Sequence, residues 1–382
     1  MGGRKNLFAH LQENINPKDQ IIWMHAASLG EYEQGLPVLE LLKKEYPSYK
    51  FLISFFSPSG YEVKKTSHEA DYISYLPLDT HKNVNEYLAI VNPVLAIFIK
   101  YEIWPNMLKG LSERNIPSLL ISSIFNEKQS YFKWYGAFMR KALFSFEHIF
   151  VQDIKSQSLL NSIGYHKVDI GGDTRLDRVF EILSQNNHLE FIENFKKASF
   201  CFVMGSTWAE DEEILTPYIN ATEGNMKYII APHKINASHL VSLQKTITKK
   251  SMLLSEYIDH GTSDIEVLII DNIGLLTKIY SYADMAYVGG GFATGLHNTL
   301  EPAAYGIPVI IGPKYHGFKE AEELVKLKGL LPITTLQEFT EKADILYHND
   351  SYRKKVGAIN KAYVTNNKGA SIQIVEHIRR LL

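Results

Sequence analysis

The sequence predicts an α/β protein of two doubly wound parallel-sheet domains, and three observations carry that prediction. Short β-rich runs alternate with helical patterns along the whole chain, which is the wiring of successive βαβ units. A polar, helix-forming stretch near residues 176–198 divides these runs into two series. The chain has 382 residues, more than one hydrophobic core usually organises, so two domains of roughly 150 to 200 residues each are expected. The expected boundaries are 1–180 for an N-terminal domain and 181–359 for a C-terminal one. A terminal helix over 360–382 is expected to pack back on the N-terminal domain.

In the first series the β-rich runs fall at residues 21–25, 50–54, 72–75, 94–99, 118–121, 148–152 and 168–171, and an amphipathic helical pattern over 31–46 follows the first. The second series places strands at 200–204, 227–231, 267–270, 285–288 and 308–311. No fixed-period repeat or low-complexity tract interrupts either series. Doubly wound sheets bind ligands beyond the carboxyl ends of their strands, so the two lobes are expected to face each other across an interdomain cleft that holds the chemistry.

Composition excludes several classes. With 45% apolar and 21% charged residues the chain has ordinary globular proportions, and disorder is not expected. Forty basic against 42 acidic residues give a net charge of -2, which lacks the basic field of a nucleic-acid binder. The single cysteine, Cys201, rules out an internal disulfide and, in its apolar run, reads as a buried inert thiol. The first residues contain no apolar run of the kind that makes a signal peptide or a membrane span. Asn6 stands where a myristoylation signal needs Ser or Thr.

Three strand-to-helix junctions carry candidate chemistry. At the first, His25-Ala26-Ala27-Ser28-Leu29-Gly30-Glu31, the Ser28 and Glu31 spacing is that of a capping box. The alternative reading has Glu31 accept a hydroxyl proton from the first helical turn, where the dipole favours negative charge. At the second, Gly205-Ser206-Thr207 opens an acid-rich helix start, so Ser206 and Thr207 either cap it or also bind a phosphate. The third runs from Val288 through Gly289-Gly290-Gly291 to His297-Asn298-Thr299-Leu300-Glu301-Pro302. Glycines without Cβ atoms would let a phosphate approach, and the N–H groups of the following helix would meet it. Thr294 stands where a dinucleotide fingerprint needs its last glycine, and no Gly-Lys-Ser/Thr follows, so neither that fingerprint nor a P-loop is present. Asn298 and Glu301 also have cap spacing.

His25, His233, His297 and His316 lack paired ligand spacing, so no metal is expected. His233 follows a strand and is a candidate hydrogen-bond donor to a phosphate or a structural residue. The segment from Tyr131 to Phe144 mixes aromatics with Lys133, Arg140 and Lys141, the composition of a membrane-surface helix or of a packed helix with charged edges.

Taken in order, these words resemble the Kdo transferases, the 3-deoxy-D-manno-oct-2-ulosonic acid transferases. Those carrying the resemblance are Trp23-Met24-His25-Ala26-Ala27-Ser28-Leu29-Gly30-Glu31, Ser57-Pro58-Ser59-Gly60, Leu76-Pro77-Leu78-Asp79 and Glu102-Ile103-Trp104-Pro105-Asn106. Further along come Gly172-Asp173-Thr174-Arg175-Leu176-Asp177, Gly205-Ser206-Thr207, Ala231-Pro232-His233 and His297 to Pro302. The family departs from this chain at Tyr101, Trp208 and Arg175, where it often has Thr, His and Lys, and its Pro-Arg-His is Pro232-His233 here, without the arginine.

The resemblance implies the GT-B fold of two facing Rossmann-like lobes and an inverting transfer of Kdo from CMP-Kdo to a lipid A precursor. It implies Glu31 as general base, and Ser28, Gly30, Ser57, Gly60 and Glu102 around the acceptor. For the donor it implies Arg175, Ser206, Thr207, His233, Gly290, Gly291, Asn298, Thr299 and Glu301. It also implies work at the cytoplasmic face of the inner membrane without a cofactor. The family's usual hydrophobic anchor has no counterpart near Met1, so a shortened chain or peripheral membrane contact is expected. A transferase or epimerase using a UDP-sugar, and a non-catalytic sugar- or nucleotide-binding protein, are the alternatives.

Overall fold

A computed structural model describes residues 4–260 and 264–382; Met1, Gly2 and Gly3 of the opening segment lie outside it. The chain divides into two units, Met1–Arg178 together with Asn367–Leu382, and Val179–Asn366.

The first unit is built on seven strands: β1 (Ile21–Ala26), β2 (Lys50–Phe55), β3 (Tyr72–Tyr75), β4 (Leu95–Ile99), β5 (Ser118–Ser123), β6 (His148–Val151) and β7 (Val168–Ile170). They pair in the order β3-β2-β1-β4-β5-β6-β7, and every pairing is parallel. All six residues of β1 are buried, as a strand covered by helices on both faces requires. Alternate side chains serve opposite layers. Trp23 packs against Tyr87 and Phe98 with ring centroids 5.2 and 5.3 Å apart, while Ile22 and Met24 join Ile53 and Ile97 on the other face. Burying each such side chain contributes about 1.5–3 kcal/mol. Gly35 lets the helix Leu29–Glu45 settle on this second layer, because a Cβ there would run into Met24 and Ile99.

The expected terminal helix over 360–382 is two helices. Asp350–Asn366 belongs to the second unit; the chain then turns at Gly369, with φ +110°, and Ala370–Ile378 returns to the first. Asp177 fixes this return by accepting the Gly369 and Ser371 N–H groups at 2.6 and 2.7 Å, and Ile374, Val375 and Ile378 bury against the layer that holds Leu36 and Leu39. The aromatic segment of this unit divides in two. Tyr131 and Phe132 pack edge-on to Phe125, whereas Trp134 is 90% exposed and Tyr135 and Phe138 also project outward. Arg140 donates to the Tyr131 and Lys133 carbonyls, so its guanidinium braces the turn.

The second unit repeats the architecture with β8 (Phe200–Thr207), β9 (Met226–Pro232), β10 (Ser251–Leu253), β11 (Val267–Ile269), β12 (Met285–Val288), β13 (Val309–Ile311) and β14 (Leu330–Pro332). Their order is β10-β11-β9-β8-β12-β13-β14, again all parallel. The edge strands β10 and β14 were not expected from the sequence. Cys201 is fully buried on β8, and burial pushes its thiol up to about 12, so it is inert.

Each sheet has one place where successive connections leave in opposite directions, between β1 and β4 in the first unit and between β8 and β12 in the second. Glu31, Glu102, Ser206 and the glycine-rich loop from Gly289 lie at or just beyond the carboxyl ends of those four strands, where the topology opens a crevice. Ser57 and Gly60 instead follow β2, His233 follows β9 and Arg175 follows β7.

Candidate active site

In the first unit, β1 ends at Ala26 and Ser28 caps the helix Leu29–Glu45. The Ser28 N–H donates to Glu31 Oε2 at 3.1 Å, and the Ser28 hydroxyl donates to the same oxygen in a shorter contact. The capping box is therefore formed. It occupies only one carboxylate oxygen: among the described residues no donor reaches Oε1. Capping and catalysis, posed as alternatives by the sequence, are compatible, because the cap holds Glu31 by one oxygen and leaves the other to a ligand.

Glu102, just beyond β4, has the same pattern. Trp104 Nε1–H donates to its Oε2 at 2.8 Å, and His25 Nε2 lies 3.0 Å from that oxygen. The other side of the His25 ring is held by Ser54, whose carbonyl and hydroxyl lie 3.0 and 2.8 Å from Nδ1. Trp23 Nε1–H in turn donates to the Ser54 hydroxyl. His25 and Ser54 are fully buried. Two lone pairs cannot face each other at 3.0 Å, so one proton lies between His25 Nε2 and Glu102 Oε2. Sequence reading missed this partner because His25 and Glu102 are 77 residues apart; it is the β1–β4 pairing, with His25 opposite Phe98, that joins them.

The other acceptor-side residues divide by role. Ser57 caps the helix Pro58–Lys64 and meets the Ser59 hydroxyl at 2.9 Å. Gly60 is buried, and a Cβ there would enter the Phe55 ring, so packing accounts for it. A Cβ on Gly30 would meet only Ser28 Oγ, at 3.8 Å, so no packing contact accounts for that glycine. Arg175, expected beside the donor, lies in the first unit, where its Nε donates to Asp173 at 2.9 Å. Burial pushes the Asp173 carboxyl up, but Arg175 outweighs it and holds the group below the usual carboxylate range. Asp79 spends its carboxylate on the Asn106 and Met107 N–H groups, capping the helix Pro105–Glu113 from outside.

In the second unit the glycine-rich loop differs from its expected role. Gly290 has φ +89°, and a Cβ there would strike Gly295 and His297; one on Gly291 would strike Gly312. The Cβ positions of these two glycines are filled by the protein's own atoms, so close packing accounts for them. The Gly290 N–H is also taken, at 2.8 Å, by Asp211 Oδ2. Asp211, fully buried, further accepts the Trp208 N–H at 2.9 Å and the Tyr287 hydroxyl at 2.7 Å. In the sequence it is one acid of an acid-rich helix start; in the structure it ties β12, the glycine loop and the helix Ala209–Ala221 together.

Ser206 sits at φ +54°, in the left-handed region, where β8 and β9 slip register between Gly205 and Thr207. Its hydroxyl meets no protein partner among the described residues. Thr207 is buried and donates to Glu212 at 2.8 Å, which also holds His239. Asn298 donates to Glu301 Oε1 at 2.9 Å and accepts the Leu300 N–H, while Thr277 donates to Glu301 Oε2 at 2.7 Å. The helix after Asn298 is only Leu300–Ala304, a single turn with a small dipole, and the Thr299 hydroxyl is buried without a partner among the described residues. His233 is exposed; its ring stacks on Trp208 at 4.8 Å and on His297 at 4.3 Å. Partial desolvation and Lys234 hold His233 below the ordinary imidazole range, and Lys234 Nζ lies 4.6 Å from the Trp208 ring. Among the described residues no three His, Cys, Asp or Glu side chains gather as a metal-binding group.

Comparison with known proteins agrees with the motifs. Residues 4–178 match the family model described as 3-Deoxy-D-manno-octulosonic-acid transferase (kdotransferase). A 3-deoxy-D-manno-octulosonic acid transferase of Haemophilus influenzae is 28% identical over 385 aligned positions, spanning 96% of this chain and 88% of its own length. Another, from Aquifex aeolicus, is 27% identical and covers 83% of each chain. Among solved structures, a UDP-GlcNAc 2-epimerase from Neisseria meningitidis superposes with TM-score 0.68 at 17% identity, over 94% of this chain and all of that one. That likeness bears on the fold alone, which is GT-B. With its N-terminal unit matched by the family model and both units aligned to relatives over most of their length, the chain is similar to the Kdo transferases from end to end.

Proposed function

We propose that the protein is an inverting glycosyltransferase that moves Kdo from CMP-Kdo to a sugar hydroxyl of a lipid A precursor. The observation that carries the reading is Glu31, anchored through Oε2 by Ser28 at the crevice end of β1 with Oε1 open. Glu31 Oε1 takes the acceptor hydroxyl proton as that oxygen bonds to Kdo C2. The C2–O bond to phosphate breaks on the opposite face, and CMP leaves with the electron pair. A placed base supplies about 10²- to 10⁴-fold, or roughly 3–5 kcal/mol of barrier. Glu102, held by His25 and Trp104, offers its own Oε1 to a second acceptor hydroxyl.

The donor belongs to the second unit. Ser206, His233 and His297 offer hydrogen-bond donors, Lys234 supplies positive charge for the phosphate, and Glu301, oriented by Asn298 and Thr277, accepts ribose hydroxyls. No metal enters this scheme. No helix among the described residues is long and apolar enough to cross a membrane. Peripheral contact with the cytoplasmic face of the inner membrane through Trp134, Tyr135 and Phe138, flanked by Lys133 and Lys141, belongs to the same proposal.

The test is release of CMP from CMP-Kdo, measured with and without a tetraacyl lipid A precursor and with UDP-GlcNAc as rival donor. Acceptor-dependent CMP release supports the proposal. Turnover of UDP-GlcNAc alone would replace it with UDP-sugar chemistry, and ligand binding without turnover of either donor would reduce the protein to a binding module.

A further inference from the structure

The ring nitrogens of His297 are unequally occupied. Trp208 Nε1 lies 2.8 Å from His297 Nε2, and an indole N–H can only donate. His297 Nε2 must therefore present a lone pair, which puts the ring proton on Nδ1. No protein acceptor among the described residues reaches Nδ1. The two rings are nearly parallel, 11° apart with centroids separated by 6.3 Å, and they meet edge to edge through this bond. His233 stacks on both.

We propose that Trp208 is a positioning residue that locks His297 in its Nδ1–H tautomer, giving the second unit a fixed, uncharged donor for an acceptor oxygen of an anionic nucleotide sugar. The inference rests on the donor assignment made above and deepens it. Which nitrogen carries the proton is set by the bond the other one makes, and without Trp208 nothing in the structure would hold Nε2 bare. The charged and titratable groups around the pair are His233 and Lys234 on one side and Asp211, which holds the Trp208 and Gly290 backbone, on the other. Burial and then His233 hold His297 below the ordinary imidazole range, with Asp211 opposing them. Protonation of Nε2 would put two N–H groups face to face, so the lock holds at neutral and higher pH and fails on acidification.

Trp208→Phe removes the N–H and keeps an aromatic ring; Trp208→His restores a ring able to donate. Nitrogen-15 NMR of His297 at about pH 8 should show a protonated Nδ1 and a bare Nε2 in wild type, and a shift toward Nε2–H in Trp208→Phe. CMP binding by calorimetry should weaken about tenfold in Trp208→Phe at pH 8, recover at about pH 5 as the imidazolium regains both N–H groups, and stay near wild type in Trp208→His. A wild-type His297 protonated on Nε2 overturns the lock. So does a Trp208→Phe protein that binds CMP as tightly as wild type at pH 8, or equally weakly at both pH values with its melting temperature unchanged. Wild type that shows the Nδ1–H tautomer but binds no CMP overturns the donor reading and leaves the lock standing.

Discussion

The two crevice ends share a topology and use their carboxylates in opposite ways. At the β1 and β4 ends, Glu31 and Glu102 are each anchored through one oxygen and keep the other open. At the β8 and β12 ends, Asp211 takes three donors and Glu212 is tied to Thr207 and His239, while rings, hydroxyls and Lys234 remain for a ligand. A crevice that accepts protons needs available carboxylate oxygen. One that holds an anion needs the acids of the phosphate side, Asp211 and Glu212, occupied elsewhere, with Glu301 kept for ribose hydroxyls.

This contrast can be broken most forcefully at Asp211. Asp211→Ala strands the Tyr287 hydroxyl and the Gly290 and Trp208 N–H groups, and should cost roughly 3–5 kcal/mol by chemical denaturation. A loss below about 1 kcal/mol would mean that water replaces the carboxylate and that Asp211 is not a structural acid. Glu102→Gln tests the other crevice. It keeps an oxygen for Trp104 but loses the carboxylate that shares a proton with His25, so turnover should fall about tenfold or more while stability changes by about 1 kcal/mol or less. The reverse pattern would place Glu102 with the scaffold.

The smallest expected effect concerns pH. The His148 and His377 rings lie 4.4 Å apart in the first unit, with Asp169 3.0 Å from His148 Nε2 and with Glu147 and Arg380 nearby. Burial and then His377 hold His148 below its ordinary 6.5, and burial and Arg380 do the same for His377. The unfolded chain therefore takes up protons first. The contribution is intact above about pH 6.5 and is lost as pH falls from there toward the lowered folded values. Melting temperature should decline over that window, and His377→Gln should flatten the decline; an unchanged slope would assign the acid sensitivity to other groups.

Much of this was legible in the sequence where the signal is local. Continuous apolar runs marked β1, β8 and their neighbours, and the Ser28 to Glu31 spacing announced a cap that is indeed formed. β10 and β14 were not legible because the Ser that opens one three-residue strand and the Pro that closes the other are turn residues, which mask so short an apolar run. The glycines of the 289–291 loop were read as room for phosphate, since sequence cannot tell a void from space filled by Gly295 or Gly312. His25 with Glu102, and Trp208 with His297, are joined across 77 and 89 positions of chain, which no spacing rule reaches. Parts of the family motifs proved to be scaffold: Asp79 and Asp177 spend their carboxylates capping helices.

The central claim is that Glu31 caps its helix with one oxygen and does chemistry with the other. The most direct test is the acceptor-dependent rate of Glu31→Gln against wild type, with both melting curves recorded. Gln can still accept the Ser28 N–H but cannot take a proton. The account predicts a rate lower by about a hundredfold or more with the melting temperature nearly unchanged. A variant that keeps its full rate would contradict it, leaving Glu31 as a cap alone.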